Sequence, residues 1–464
     1  MRRNRVVRFV VALVVCLASV APVLAQSTQS TNVPMTAGQR PGRSDPAFAQ
    51  PSVAVGVDYT VPSADEIRIV LDRVREYFVR STTYRIVDTA TGQPITDFTT
   101  PVKTAAIDQR GEFNEWNYSI GVTMAAMLQV ADATGDARFQ DYTIRNFDFI
   151  FDYADYFRRQ ERQFGTAANF KKMMRFTELD DCGAIGAALI KAYQKKPDPR
   201  YRAMIDSIAE FISHKMTRMP DGTIARTRPW PVSIWVDDFY MCVPFLAQMG
   251  VLTGDRRYFD DAAQQVIGMT ARLFDREKGL YDHSWFADME PDPRFFWGRG
   301  AGWALMATAE LLSVMPEDHK DRPAVLAIFQ RAAQGAIAVQ GSMGLWHQML
   351  DKPDSYLESS ATAMFTFALA RGVNRGWLPP NYAPAAQAGW RALEQRVRAD
   401  GTIEGICVST TAASDLVYYY NRPTDLAAPQ GYGAALMAGV EVMQMVKAFD
   451  IQRINNTYYY RPRK

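Results

Sequence analysis

Two aspartate doublets in apolar or aromatic settings carry the chemistry this chain offers. Asp237 and Asp238 lie in Trp235-Val236-Asp237-Asp238-Phe239-Tyr240-Met241, ahead of the apolar run Val243-Pro244-Phe245-Leu246. Asp180 and Asp181 lie in Leu179-Asp180-Asp181-Cys182-Gly183-Ala184, ahead of a similar run. A carboxylate among aromatic rings is costly unless it is paired or used. Two carboxylates in one cavity raise each other's pKa, so one can stay protonated while the other is ionised. The plain alternative is that each Asp caps a helix. Asp180 and Asp237 hold equivalent places in the two runs, which favours a shared site.

A third group is Phe296-Trp297-Gly298-Arg299-Gly300-Ala301-Gly302-Trp303. Arg299 offers a planar fork for a carboxylate, and Trp297 and Trp303 offer stacking faces. Its alternative is structural, with Arg299 paired internally to Asp180 or Asp237. A nucleotide loop is excluded because no strand precedes the glycines. His283 lies in Tyr281-Asp282-His283-Ser284-Trp285, ahead of that group. With His214, His319 and His347 it makes no metal-ligand spacing, so no metal or other cofactor is expected. Trp346-His347-Gln348 and Tyr418-Tyr419-Tyr420 are aromatic loops that serve equally as pocket wall or as packing.

The elements that must position these groups are nearly all helical. Thr134-Gly135-Asp136-Ala137-Arg138-Phe139 is echoed by Pro197-Asp198-Pro199-Arg200-Tyr201 and Thr253-Gly254-Asp255-Arg256-Arg257-Tyr258, about 60 residues apart. Gly ends one helix, Asp caps the next, and the aromatic packs at its first turn. In the same period, runs opening at Trp116-Asn117-Tyr118, Leu179, Trp235, Phe296, Leu357-Glu358-Ser359-Ser360-Ala361 and Gln430-Gly431-Tyr432 are rich in Ala, Leu, Met and Val. Helices apolar all round are buried. Amphipathic segments such as Tyr201 to Met216 alternate with them. Six buried and six amphipathic helices close as a double ring, an all-α six-hairpin (α/α)6 toroid; an open solenoid is the alternative. The six inner N-termini would then share one face and favour an anionic ligand there.

The net charge of +2 over 464 residues gives no basic footprint for nucleic acid. Arg2, Arg3 and Arg5 precede an apolar run from Val6 to Val20, and Val23-Leu24-Ala25 ends on a small residue. Residues 1–25 read as a secretory signal peptide, with an uncleaved anchor as the alternative. Residues 26–60 read as a flexible linker, and 61–464 as the helical catalytic domain, with Ser63 capping its first helix. The mature chain is expected outside the cytoplasm, in the periplasm, with no membrane span of its own. Cys182, Cys242 and Cys407 make no disulfide framework; Cys182 and Cys242 read as buried small hydrophobes.

The four motifs at 179–183, 235–241, 296–303 and 357–361, in this order, resemble the unsaturated rhamnogalacturonyl hydrolases of glycoside hydrolase family 105, relatives of the unsaturated glucuronyl hydrolases of family 88. The resemblance runs from about residue 65 to 447. It implies the same toroid, and a substrate bearing a 4,5-unsaturated uronic acid at its non-reducing end. It implies hydration of the C4=C5 bond, with Asp237 as general acid and base and Asp180 holding the sugar. His283, Trp297, Arg299, Trp303 and Trp235 match family pocket positions, and Tyr118 matches by its place in the first inner helix. Pro231-Val232-Ser233 stands where some relatives carry a His, which leaves open the sugar that follows the uronate. Two readings from other classes remain: an inverting glycosidase using Asp180 and Asp237 on saturated chains, and a non-catalytic sugar-binding toroid.

Overall fold

The apolar runs fold as helices buried on almost every side: α2 (Tyr118–Thr134), α5 (Gly183–Lys195), α7 (Asp238–Thr253), α9 (Gly298–Val314), α11 (Ser359–Asn374) and α14 (Tyr432–Ala448). Each packs on the next, and α14 packs back on α2, which closes the ring. Around it lie α1 (Ala64–Ser81) against α14, α3 (Ala137–Phe164) against α2 and α6 (Pro199–Glu210) against α5. The outer ring continues with α8 (Arg257–Leu273) against α7, α10 (Arg322–Ala338) against α9 and α12 (Ala383–Glu394) against α11. Two short helices, α4 (Lys171–Met174) and α13 (Leu416–Tyr420), sit in connections. The computed structural model describes residues 59–108, 113, 115–230, 232–289, 294–455 and 457–463. The signal-peptide reading and nearly all of the linker fall outside the described residues.

The local reasons are those the pattern predicts. Ser63 accepts from the Glu66 amide while Glu66 reaches back to the Ser63 amide, a capping box that starts α1. Gly135 and Gly254 end α2 and α7 in the left-handed conformation. Asp136 and Asp198 then accept from the Arg138 and Arg200 amides to start α3 and α6. At the N-terminal end of the ring two helices touch backbone to backbone. A Cβ on Gly183 would stand 1.5 Å from the Met241 carbonyl oxygen, so only glycine lets α5 meet α7 there. Cys182, Cys242 and Cys407 are buried free thiols.

Two features differ from the expectation. The inner helices begin two to four residues after the motifs open, so Trp235 and Trp297 precede their helices. The chain also contains short antiparallel pairs: β1 (Ile86–Asp88) with β2 (Ala105–Ile107), β4 (Phe274–Asp275) with β5 (Leu280–Tyr281), and β9 (Phe449–Ile454) with β10 (Thr457–Pro462). Two more pairs lie at inner-helix starts: β3 (Ser233–Trp235) with β6 (Ser284–Phe286), and β7 (Trp346–His347) with β8 (Leu357–Glu358). Apart from the six-residue β9 and β10, these strands have two or three residues, too short to show alternation.

At the opposite end of the ring, a basin of about 560 Å³ lies among the C-terminal halves of the inner helices. Glu310 pairs there with Lys191 at 2.7 Å and with Arg371, and Arg371 reaches Glu441 at 2.8 Å. Among the described residues, no helix is long and apolar enough to cross a membrane.

Candidate active site

Each doublet divides its work between two residues. Asp181 turns back on its own loop, accepting from the Thr177 and Glu178 amides and the Thr177 hydroxyl. That leaves Asp180 in the short helical turn Leu179–Asp181 to reach Arg226, whose Nη2 lies 2.7 Å from its Oδ2. Asp238, fully buried, is clasped by the Arg226 Nε and Nη2 at 2.6–3.1 Å. Asp237 makes no cap hydrogen bond to α7; its Oδ2 lies 3.1 Å from His283 Nε2. The first member of each doublet is therefore the one free of helix-capping duty.

The small sheet fixes this pair. Trp235 on β3 registers with Ser284 on β6. The Val236 amide donates to the His283 carbonyl, and the His283 amide to the Phe295 carbonyl. The His283 ring lies among Trp297 at 4.6 Å, Tyr419 at 5.5 Å and Trp235 at 5.9 Å between centroids. Arg226 stacks over Trp235 at 4.3 Å, and Arg299 over Trp297 at 4.7 Å. Trp303 packs against Tyr240 at 4.9 Å and Tyr118 at 6.3 Å. Tyr118 feels the charges of Arg299, Asp180 and Asp237 while burial pushes its phenol up. Asp180, Asp237, Tyr118, Trp235, His283, Trp297, Arg299 and Trp303 thus stand together at the N-terminal face of the ring.

One alternative and one expectation are corrected. Arg299 is not the partner of the acidic pair. Its guanidinium donates to the Cys407 and Val408 carbonyls at 2.5 and 2.8 Å, which hold it over the Trp297 ring. Arg226 is the shared cation, and it also reaches Glu178 at 3.2 Å. The second correction concerns protons. Burial acts to raise Asp237, but the His283 hydrogen bond and the positive charges of Arg226 and Arg299 outweigh it and hold the carboxyl below the usual range. The raised carboxyl is Asp238, pushed up to about 6 by burial, with Asp180 and Asp237 adding repulsion against the Arg226 clasp. One guanidinium shared among several carboxylates does not compensate them all.

Sequence reasoning missed Arg226 and gave Tyr419 no more than an even chance of lining the pocket. The signal for Arg226 was the count: Glu178, Asp180, Asp237 and Asp238 gather at two neighbouring helix starts and need a cation. Ile224-Ala225 beside it marks a buried stretch. The aromatic loops divide. Trp346 packs inward, donating to the Ala336 carbonyl, whereas the Tyr419 hydroxyl meets His283. Glu358, buried, accepts from the Ala361 and Cys407 amides and caps α11. Trp230, 45% exposed, stands edge-on to Phe286, which clusters with Trp235. Spacing also missed a group away from this face: Asp260, His319 and Asp321 present possible ligand atoms within 4.8 Å of one another, with the Lys320 ammonium 3.4 Å from Asp260.

The sequence profile described as Glycosyl Hydrolase Family 88 matches residues 88–446. The chain is 27% identical over 270 residues to the unsaturated rhamnogalacturonyl hydrolase YesR of Bacillus subtilis, covering 57% of this chain and 77% of that protein. It is 33% identical over 226 residues to an unsaturated 3S-rhamnoglycuronyl hydrolase of Formosa agariphila, covering 46% of this chain and 58% of that protein. Among solved structures, a possible GH105 family member from Salmonella enterica superposes with a TM-score of 0.65 at 22% identity, covering 87% of this chain and 99% of that one. The unsaturated glucuronyl hydrolase of Bacillus sp. GL1 superposes at 0.56 with 14% identity, covering 81% and 96%. These two structures share the fold. The chain therefore belongs to Glycosyl Hydrolase Family 88, as a glycoside hydrolase related to the unsaturated rhamnogalacturonyl hydrolases.

Proposed function

We propose that the enzyme removes a 4,5-unsaturated uronic acid from the non-reducing end of oligosaccharides left by polysaccharide lyases, with the unsaturated rhamnogalacturonan disaccharide as its substrate. The observation that carries this reading is the Asp237–His283 pair, set among aromatic rings with the charges of Arg226 and Arg299 acting on it. Such a site suits a ring that bears its own carboxylate. The names of the two relatives, which specify unsaturated rhamnogalacturonyl and 3S-rhamnoglycuronyl substrates, support the class.

In this reading Asp237 works twice. Its carboxyl gives a proton to C4, the π electrons of C4=C5 form the new C–H bond, and positive charge develops at C5 beside the ring oxygen. Water then bonds to C5 and loses its proton to the Asp237 carboxylate, which restores the acid. The hemiketal opens to a C5 ketone, and the hemiacetal left at C1 releases the next sugar as an alcohol. The proton and the water add across C4=C5 and not at the anomeric carbon, so the usual inverting or retaining carboxylate pair does not apply. The low proton affinity of Asp237 belongs to the free enzyme. A substrate carboxylate arriving beside it repels the Asp237 anion and engages Arg299, and both effects raise it toward the acid form.

Asp180, anchored by Arg226, accepts from sugar hydroxyls. Trp235 Nε1, a buried donor with no partner among the described residues, donates to a sugar oxygen. Trp230 offers an apolar face to the sugar beyond the cleaved bond. The basic start and apolar run of residues 1–25 support export, and a mature chain beginning at Gln26 on N-terminal sequencing tests it. The activity is tested by the ultraviolet absorbance of pectin, ulvan and glycosaminoglycan lyase products. Loss of the conjugated double bond on the rhamnogalacturonan product is expected. No loss on any of them overturns the reading.

A further inference from the structure

The Tyr419 hydroxyl lies 2.6 Å from His283 Nδ1 and 3.2 Å from the Ala413 amide nitrogen. Tyr419 is fully buried, at 0% exposure, and its ring packs on Phe295 at 4.8 Å. The Ala413 amide is a donor only, so towards it the hydroxyl accepts. The phenolic proton then needs an acceptor in a dry site, since an unmade buried hydrogen bond is costly. Among the described residues, the acceptor in reach is His283 Nδ1. A ring nitrogen that accepts carries no proton, and the other nitrogen of a neutral imidazole must then carry it. That nitrogen is Nε2, 3.1 Å from Asp237 Oδ2.

We propose that Tyr419 is a positioning residue that fixes His283 in the Nε2–H tautomer. The hydrogen bonds run one way: the Ala413 amide donates to Tyr419, Tyr419 to His283, and His283 to Asp237. The imidazole is thereby a donor towards Asp237 and cannot take its proton. It pins one carboxylate oxygen and leaves the other for the reacting hydrogen and water. Tyr419 lies 136 residues from His283, on α13 between α12 and α14, so the last long loop of the toroid finishes a site begun by the third and fourth hairpins. The tautomer assignment stands on geometry alone; its kinetic consequence rests on the reading of Asp237 as proton carrier.

The test is long-range proton–nitrogen NMR of the full chain labelled in histidine, where four histidines keep assignment tractable. In the wild type, His283 is expected to show a protonated Nε2 and a bare Nδ1. In Tyr419→Phe, which keeps the ring and removes the hydroxyl, the bare Nδ1 signal should give way to a mixture of tautomers. On unsaturated disaccharide, the kcat of Tyr419→Phe should fall about tenfold or more with KM within about twofold of wild type. A protonated Nδ1 in the wild type overturns the proposal, and needs no variant to fold. An unchanged tautomer in Tyr419→Phe, or an unchanged kcat, overturns it as well. A wild type with the stated tautomer that turns over no unsaturated sugar would sink the proposed function and leave the tautomer assignment standing.

Discussion

Arg226 Nη2 reaches Asp180 Oδ2 across 2.7 Å from a loop outside both helix starts, and with the same nitrogen meets Asp238 Oδ1 at 2.6 Å. Asp238 is thereby kept in the interior and Asp180 is held at the pocket face. Replacing the cation leaves a buried carboxylate without its partner. Arg226→Gln is expected to cost about 3–5 kcal/mol of stability, read by urea denaturation. KM for the unsaturated disaccharide should rise in the same variant, because Asp180 loses its anchor.

The two members of the second doublet should separate cleanly. Asp237→Asn removes the proton carrier and should lower kcat by about 10²-fold or more while the melting temperature stays close to wild type. Asp238→Asn weakens the Arg226 clasp and should lower stability by about 1–3 kcal/mol with a smaller kinetic loss. Comparable kinetic losses in both would place the chemistry elsewhere in the doublet.

Glu310 closes the far end of the ring. Burial acts to raise its carboxyl, but Lys191 and Arg371 prevail and hold it at about 2. A folded pKa below the unfolded value stabilises the protein above the unfolded pKa. That contribution is lost as pH falls through about 4.3 towards 2. At roughly two pH units it is on the order of 3 kcal/mol. Wild type should therefore exceed Glu310→Gln in melting temperature at pH 7, with the gap shrinking as the pH is lowered through that window. A constant gap would mean that the carboxylate charge is not what matters there.

Trp230 should affect binding rather than chemistry. Trp230→Ala removes an exposed face and should raise KM several-fold for substrates with a sugar beyond the cleaved bond, leaving kcat and the fold near wild type. An equal effect on every substrate, or none, would remove Trp230 from the sugar path.

The ring itself was legible because its signals are local and repeated. Gly135-Asp136 and Gly254-Asp255 punctuate hairpins, and helices such as α7, apolar on all sides, have to lie inside. Asp180 and Asp237 could be read because each sits just before such a helix, Trp297 and Arg299 because they flank the start of α9, and His283 from its loop and the family resemblance. What escaped is long-range. Arg226 looks unremarkable until the fold brings it between Asp180 and Asp238, and Tyr419 is one of three adjacent tyrosines until a loop places its hydroxyl on His283. The pKa order within 237–238 escaped for the same reason, since it depends on which residue receives the cation.

The most direct test follows the double bond and the glycosidic link together, with unsaturated rhamnogalacturonan disaccharide in D2O. The account predicts that ultraviolet absorbance falls in step with release of the second sugar, and that the product carries one deuterium at C4. Release of the second sugar with the C4=C5 bond intact would contradict it, because cleavage would then have begun at the anomeric centre.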